Sequence, residues 1–182
     1  MMNPLTKHSE SKVASSSTTQ FLTFKTGGET FAIDILDVKE IIEIEAITRV
    51  PMMPAFIIGI INLRGRVVPV VDLSSRLGRT TSTMSKKSCI VLVEVNHSLE
   101  SNIIGMMVDE VHEIVQIDEH DTQPPPDFGT EIRTDFISSM GRVDERFIIL
   151  LDVNHVLSIE DISTITKIKH EHENNSGEEW HW

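Results

Sequence analysis

Short runs of β-branched residues, each ended by turn residues, dominate the middle of the chain. They fall into pairs whose members are separated by a few turn residues, which is typical of β-hairpins. The four pairs are QFLTFKTGGETFAIDI, IGIINLRGRVVPVVDL, SCIVLVEVNHSLESNIIGMMV and FISSMGRVDERFIILLD. Few stretches have a helical period. The pattern therefore predicts a mainly β fold built from barrels of short strands, with a few short helices.

The hairpin pattern occurs twice. FAIDILDVKEIIEIEAITRVP, which begins at Phe31, aligns without gaps on IGMMVDEVHEIVQIDEHDTQP, which begins at Ile104. Further along, RVVPVVDLSSRL from Arg66 aligns on RFIILLDVNHVL from Arg146. Each half is too short to bury a full core by itself, whereas two halves packed together can do so. We therefore expect one barrel at about residues 20–80 and a second at about 87–158.

The segments between the hairpins are predicted to form short helical turns. DILDVKEIIE places Ile35, Val38 and Ile42 on one helical face. Asp72 and Asp152 each follow an apolar strand and precede a short helical pattern. Their carboxylates are expected to cap those helices by accepting hydrogen bonds from the free amides of the first turn.

Charge and hydropathy narrow the choice of partners. The 182 residues carry a formal net charge of −12, which disfavours nucleic acid and anionic lipid as partners. No apolar run approaches the length of a membrane span, and the first residues lack the apolar core of a signal peptide. We therefore expect a cytoplasmic protein without direct membrane insertion. Residues 1–19 are predicted to be a disordered arm, and residues 167–182 a polar tail.

The chain lacks the common catalytic motifs. Neither a P-loop nor a Gly-x-Ser-x-Gly elbow occurs. The His112-Glu113 pair begins a zinc-protease motif, but Gln116 stands where the second histidine is required. Cys89 lies in an apolar run without a nearby basic residue, so it is predicted to be a core thiol. We expect a binding protein that is not an enzyme and holds no cofactor or metal.

Arg64 is the most unusual residue of the second hairpin, because it precedes Gly65 between two apolar strands. A solvated turn arginine is the simplest interpretation. If the DILDVKEIIE segment packs beside this hairpin, Glu40 can pair with Arg64 and hold the guanidinium at a mostly apolar surface. Arginines fixed among aliphatic side chains are common in protein-binding hot spots.

Four segments together resemble the CheW family of chemotaxis coupling proteins. They are GETFAIDILDVKEI, TRVPMMPAFIIGIINLRGRVVPVVDLSSRLG, IIGMMVDEVHEIVQI and FISSMGRVDERFIILLDVNHVL. The Asn-Leu-Arg-Gly turn with the Val-Pro-Val-Val-Asp-Leu strand after it is the most specific part. The resemblance covers about residues 20 to 158 and implies a CheW-like domain at 20–166. That domain would consist of two interlocked five-stranded SH3-like β-barrels.

The resemblance also implies a function and its partners. Proteins of this family are non-enzymatic adaptors that link methyl-accepting chemoreceptors to a histidine autokinase, and they dock on the regulatory domain of the kinase. Carried over by position, Glu40 and Arg64 match the family's charge pair near the partner-binding surface. Val38 and Gly59 match positions implicated in coupling. The protein would then lie in the cytoplasm, associated with membrane-bound receptor arrays.

Two positions of the second half match the receptor-binding groove of the family. Val111 and Ile114 would lie in the groove that receives the helical hairpin tip of the receptor, where an apolar surface takes an amphipathic helix. Other interpretations stay open at this point. Val38 and Ile114 could be buried in the core. Gly59 could simply permit a tight junction between a helix and a strand.

Other functions are compatible with the same sequence. An adaptor of the same fold could serve a non-flagellar chemosensory pathway. A small-ligand-binding protein could use the cleft between the barrels. The final GEEWHW is either a docking peptide, loosely similar to the aromatic and acidic peptide that ends some chemoreceptors, or unselected disorder.

Overall fold

A computed structural model describes residues 17–97, 99–126 and 134–157. The strands run in the order β1 Thr18–Thr26, β2 Glu29–Asp34, β3 Val38–Glu43, β4 Ile57–Leu63, β5 Arg66–Asp72, β6 Cys89–His97, β7 Glu100–Val108, β8 Glu110–Asp118, β9 Thr122–Gln123, β10 Ile137–Val143 and β11 Arg146–Leu151. The helical elements are the helices α1 Leu73–Arg76 and α2 Val153–Val156, with three-residue 3-10 turns at Ile35–Asp37, Glu119–Asp121 and Thr134–Phe136. In the described residues, no helix is long and apolar enough to cross a membrane.

The strands form two sheets. The first, called the terminal sheet here, has the order β8-β1-β2-β11-β10-β9 and takes its strands from both ends of the described chain. The second, the central sheet, has the order β3-β6-β7-β5-β4. The two-residue β9 is the extra member of the terminal sheet, so each sheet has five longer strands. The prediction of a mainly β fold of two SH3-like barrels is confirmed.

The division of the chain between the barrels differs from the prediction. The third strand of each half pairs with the first strand of the other half: β3 pairs with β6, and β8 pairs with β1. Two parallel pairings complete the exchange, β5 with β7 and β2 with β11. The expected barrels at 20–80 and 87–158 are therefore wrong as sequential units. Each barrel combines the first hairpin of one half with the later strands of the other half.

The four predicted hairpins are present, but the predicted helical turns are mostly strand. In DILDVKEIIE only Ile35–Asp37 is helical, and β3 follows directly. The burial of β3 alternates at every second residue, with Val38, Glu40 and Ile42 half-buried and their neighbours exposed. Pairing with β6 supplies backbone hydrogen bonds that a single helical turn cannot provide, and β-branched residues suit this environment. The corresponding segment of the second half forms β8 in the same way.

Three clusters of buried side chains fill the structure. The largest draws on both sheets, for example Phe31 and Ile33 of β2 and Val91 and Val93 of β6, together with residues of both helices. A smaller cluster belongs to the central sheet and another to the terminal sheet. Neighbouring residues of one strand face different clusters, since Ala32 lies in the terminal cluster. The space between the barrels is thus a packed core, as expected of two halves that are each too small to fold alone.

Both predicted helix caps are present. The Asp72 carboxylate accepts a hydrogen bond from the backbone N–H of Ser74, and the Asp152 carboxylate accepts one from that of Asn154. The two predicted termini fall mostly outside the described residues, which begin at Ser17 and end at Leu157. Strand β1 starts at Thr18 and therefore includes the last two residues of the predicted arm.

Candidate functional site

An ion pair joins the two outer strands of the central sheet. The Nη2 atom of Arg64 lies 2.8 Å from Oε1 of Glu40, as the sequence analysis expected. Glu40 belongs to β3, and Arg64 follows β4 directly, so the contact links the opposite edges of the curled sheet. The Arg64 side chain is 74% exposed and that of Glu40 is 36% exposed. The Glu40 carboxylate therefore orients the guanidinium, while most of the Arg64 side chain stays exposed to solvent.

The backbone of the Arg64-Gly65 turn has a conformation that few residue types favour. Both residues have positive φ, 49° and 82°, which is the pattern of a type I′ hairpin turn. Asparagine, aspartate and glycine are the residues that favour this conformation, and arginine is not among them. The side-chain oxygen of Asn62 accepts a hydrogen bond from the Gly65 N–H and supports the turn. Arg64 therefore has a backbone conformation that its residue type seldom adopts.

A shallow depression of about 390 Å³ adjoins this ion pair. Besides the pair, Lys39, Leu63, Arg66, Leu92 and Ile103 line it. The Nζ atom of Lys39 lies 2.5 Å from Oε2 of Glu94. Hydrogen bonds from Lys39 and Ser101 lower the pKa of Glu94, so this carboxylate stays charged at neutral pH. The surface thus combines fixed charges with aliphatic side chains.

Gly59 has a structural reason to be glycine. A Cβ atom at this position would lie 2.1 Å from the carbonyl oxygen of Thr48. The backbones of Thr48 and Ile60 exchange two hydrogen bonds, each 2.8 Å long, so the segment after β3 crosses β4 in close contact. The interpretation of Gly59 as a tight junction is correct in kind, although the junction joins a crossing segment to a strand and involves no helix.

Val38 and Val111 occupy corresponding places at the start of β3 and β8. Each is half-buried and packs against the core shared by the two sheets. Val38 lies opposite Val93, and Val111 lies opposite Phe24. The side chains of Val38 and Val111 therefore pack mainly against the core, and only part of each is exposed to solvent.

Ile114 is exposed, so the alternative that it belongs to the core is wrong. Its exposed fraction is 54%, and it lies opposite Leu22 in the pairing of β8 with β1. Ile41 holds the corresponding place on β3 and is 44% exposed. Ile41 was not among the predicted site residues. The period-2 alternation of its neighbours was the signal that could have identified it as a surface residue.

The six predicted site residues thus form two groups. Glu40, Arg64, Val38 and Gly59 belong to the central sheet, and the first two are in direct contact. Val111 and Ile114 belong to the terminal sheet. The structure gives the protein one charged surface at the Arg64 turn and, on β8, an exposed Ile114 among polar side chains.

The described residues offer little to a catalytic or metal-dependent interpretation. Among them, no group of three or more histidine, cysteine, aspartate or glutamate side chains is placed to hold a metal ion. His112 Nε2 lies 3.7 Å from a Glu110 carboxylate oxygen on the same strand. Cys89 is partly buried rather than fully buried, and desolvation raises the pKa of its thiol, which disfavours the thiolate.

Comparison with known proteins agrees with this geometry. The CheW-like domain model matches residues 20–161. The chemotaxis protein CheW of Klebsiella aerogenes is 29% identical over 153 residues, which cover 84% of this chain and 90% of that protein. Protein PilI of Pseudomonas aeruginosa is 30% identical over 105 residues, which cover 57% of each chain. The crystal structure of the scaffolding protein TtCheW from Thermoanaerobacter tengcongensis superposes with a TM-score of 0.71 at 35% identity, covering 80% of this chain and 96% of that one.

Proposed function

The chain belongs to the CheW-like family, and we propose that it is a non-enzymatic adaptor that couples methyl-accepting chemoreceptors to a histidine autokinase. The observation that carries this proposal is the Glu40–Arg64 pair, which fixes an exposed guanidinium on the Asn-Leu-Arg-Gly turn. An adaptor needs two docking surfaces in a constant relation, and the two groups of site residues lie on different sheets of one packed body. A conformational change of the receptor can then be transmitted to the kinase through a rigid adaptor.

The Arg64 surface is proposed to bind the regulatory domain of the kinase. The 2.8 Å contact with Glu40 reduces the rotamer freedom that Arg64 would otherwise lose on binding. The partly buried Leu63 and Ile103 supply apolar area beside the guanidinium. Arginine at the edge of an aliphatic patch, able to donate several hydrogen bonds to an acceptor on a partner, is a common arrangement at protein interfaces.

The surface of β8 is proposed to receive the helical hairpin tip of the receptor. Ile114 presents more than half of its side chain to solvent, and Val111 is half-buried beside it. An amphipathic helix that lies in an apolar groove buries such side chains and gains affinity from their desolvation. The protein would act in the cytoplasm, at membrane-bound receptor arrays, without entering the membrane and without a cofactor or metal.

The similarity to Protein PilI supports a second candidate. The same fold and the same docking surfaces would then serve a non-flagellar chemosensory pathway. Both candidates bind a receptor and a kinase through the same surfaces, so they differ only in which receptor and kinase are bound. Measuring the affinity of this protein for the kinase of each kind of pathway distinguishes the two candidates.

The proposal can be tested by reconstitution. Receptor cytoplasmic fragments are clustered on vesicles with the cognate histidine kinase, and autophosphorylation is measured with and without this protein. We expect stimulation that requires the protein, together with co-sedimentation of all three components. The variant Arg49→Ala removes an exposed arginine from outside the proposed surface and is expected to behave as wild type. Absence of stimulation, with no binding to either partner, would reject the adaptor function.

A further inference from the structure

Arg76 connects the two barrels through a contact that the proposed docking surfaces do not use. It is the last residue of α1, which follows β5 of the central sheet. Its Nε donates a hydrogen bond of 2.6 Å to the carbonyl oxygen of Val156, in the helix α2 that follows β11 of the terminal sheet. A single side chain therefore spans from one barrel to the other.

The guanidinium of Arg76 also lies between two aromatic rings. Its Cζ is 4.7 Å from the centroid of the Phe56 ring and 4.8 Å from that of Phe136. Both distances are within the range of cation–π attraction, which is stronger where water is excluded. Phe136 is almost fully buried, with 2% of its surface exposed. The two rings come from different barrels, since Phe56 precedes β4 and Phe136 precedes β10.

The two phenylalanines hold corresponding places in the repeat. The Phe56 carbonyl accepts a hydrogen bond from the Asp72 N–H at 2.7 Å, and the Phe136 carbonyl accepts one from the Asp152 N–H at 2.9 Å. Each ring is thus tied to the residue that caps the helix of its own half. A movement of either helix relative to the other must separate a ring from the guanidinium between them.

The two halves carry different residues at the position of Arg76. In the repeat, RVVPVVDLSSRL aligns on RFIILLDVNHVL, so the residue that corresponds to Arg76 is Val156. Arg76 donates its hydrogen bond to the carbonyl of that same residue. One guanidinium fills the space between the two rings. From the second half, Val156 contributes a small apolar side chain and the backbone carbonyl that accepts the hydrogen bond.

We propose that Arg76 is a positioning residue that fixes the orientation of one barrel relative to the other, and with it the orientation of the two docking surfaces. This inference rests on the proposed function, because the Arg64 surface and the β8 surface lie on different barrels. Arg76 touches neither surface. Arg76 keeps the relative orientation of the two surfaces constant. A displacement at one surface then moves the other surface as well, because the two barrels do not shift against each other.

The test compares Arg76→Met with wild type. Methionine keeps much of the length of the side chain but removes the charge, the planar guanidinium and the donor to Val156. Residual dipolar couplings of backbone amides report the orientation of each sheet. We expect one alignment tensor to fit both sheets in their present arrangement in wild type, and the variant to require a rotation of one sheet relative to the other. An unchanged relative orientation of the sheets in the variant would overturn the inference.

The functional arm separates positioning from docking. In the reconstituted mixture, we expect Arg76→Met to reduce kinase stimulation roughly tenfold, a typical size for an allosteric coupling. Its affinity for the kinase regulatory domain alone, and for receptor fragments alone, is expected to stay within about twofold, below the 1.4 kcal/mol that a tenfold change represents. Arg49→Met serves as the matched control and is expected to change neither the tensors nor the stimulation. Unchanged stimulation by Arg76→Met would also overturn the inference.

A conservative variant keeps the test decisive if Arg76→Met does not fold. Arg76→Lys retains the cation but cannot stack a planar group between both rings while donating to Val156. We expect an intermediate loss of stimulation, roughly threefold, with both binary affinities retained. Full wild-type stimulation and an unchanged relative orientation of the sheets in Arg76→Lys would overturn the inference in that case. If wild type itself fails to stimulate the kinase, the proposed function fails, whereas the dipolar couplings still decide whether Arg76 fixes the barrels.

Discussion

The two halves of the chain have the same backbone conformation at corresponding turns but carry different side chains there. The Arg64-Gly65 turn of the first half corresponds to the Asp144-Glu145 turn of the second, and all four residues have positive φ. Glu40 on β3 corresponds to Glu113 on β8. Only the first half sets a cation opposite its glutamate, because an aspartate occupies the corresponding turn of the second half. The repeat determines the fold, and a few substitutions on it determine which surface can bind by charge.

The largest expected difference between the halves concerns Gly59 and its counterpart Ser139. Gly59→Ala would place a Cβ atom 2.1 Å from the Thr48 carbonyl oxygen and break the two hydrogen bonds between Thr48 and Ile60. We expect a loss of about 3 kcal/mol of unfolding free energy, at the upper end for an overpacked site. Urea unfolding measures this loss.

Ser139→Ala is the matched control, since β10 already accepts a side chain at this point. Its effect is expected to stay within about 0.5 kcal/mol. Equal losses of unfolding free energy in Gly59→Ala and Ser139→Ala would contradict the claim that the contact with Thr48 is what requires glycine in the first half.

A smaller difference separates two neighbours on β8. Val111→Ala removes methyl groups packed against the shared core, and we expect it to cost about 1 kcal/mol at about 0.8 kcal/mol per buried methylene. Ile114→Ala removes a side chain that is 54% exposed, so its cost in unfolding free energy should stay within about 0.5 kcal/mol.

Binding is expected to reverse that order. Ile114→Ala should weaken the binding of receptor fragments roughly fivefold, as for a moderate interface residue. Isothermal titration calorimetry beside urea unfolding gives both quantities for both variants. An Ile114→Ala protein that binds receptor fragments as wild type does would remove Ile114 from the docking surface.

The ion pair itself should add little to stability. Because Arg64 is 74% exposed, Glu40→Gln is expected to cost about 0.5 kcal/mol or less of unfolding free energy. The cost should vanish at 1 M salt, where the Debye length falls to about 3 Å. Glu113→Gln, without an opposing arginine in its turn, should show no such salt dependence. A large, salt-independent cost for Glu40→Gln would mean that the pair serves the fold instead of a partner.

The smallest predicted effect concerns the acids that precede β3 and begin β8. Burial raises the pKa of Asp37 above 3.8, with further contributions from the carboxylates of Asp34, Asp152 and Glu94. A raised folded-state pKa means that ionised Asp37 costs stability, and that this cost disappears as the pH falls through that pKa. Asp37→Asn is therefore expected to raise the melting temperature at neutral pH, with the gain lost below pH 3.8.

The counterpart of Asp37 is Glu110, whose carboxylate oxygens lie 3.5 Å from Lys87 Nζ and 3.7 Å from His112 Nε2. Here the neighbours are basic, so Glu110→Gln is expected to give no gain at neutral pH. Thermal melts of both variants across the acidic range make the comparison. A gain for Asp37→Asn that persists below pH 3.8 would contradict the electrostatic explanation.

The hairpins could be predicted from the sequence because they depend on local signals, whereas the ion pair joins side chains from two different strands. Turn residues such as Gly27-Gly28 end one strand and begin the next, and the Asn-Leu-Arg-Gly turn fixes the position of Arg64. The pairing of Glu40 with Arg64 was predicted even though β3 was expected to be helical. Glu40 reaches the turn because β3 and β4 are the two outer strands of a curled sheet.

The exchange of strands between the halves could not be predicted, since it depends on a choice between equivalent partners. β3 could pair with β1 of its own half or with β6 of the other, and both are strands of nine residues. The aromatic contacts of Arg76 were missed for a related reason. Phe136 belongs to the other half of the chain, and only the packing of the two barrels brings its ring to the guanidinium of Arg76.

The most direct test of the account compares Arg64→Asn with Asp144→Asn in binding to the isolated kinase regulatory domain. Asparagine tolerates the positive φ of both turns, so each variant keeps its hairpin. Arg64→Asn removes the guanidinium with its stem, and Asp144→Asn removes the negative charge. By isothermal titration calorimetry we expect Arg64→Asn to weaken binding at least tenfold, about 1.4 kcal/mol, and Asp144→Asn to change it less than about twofold. Wild-type affinity in Arg64→Asn, or equal losses in both variants, would contradict the assignment of kinase docking to the charged turn of the first half.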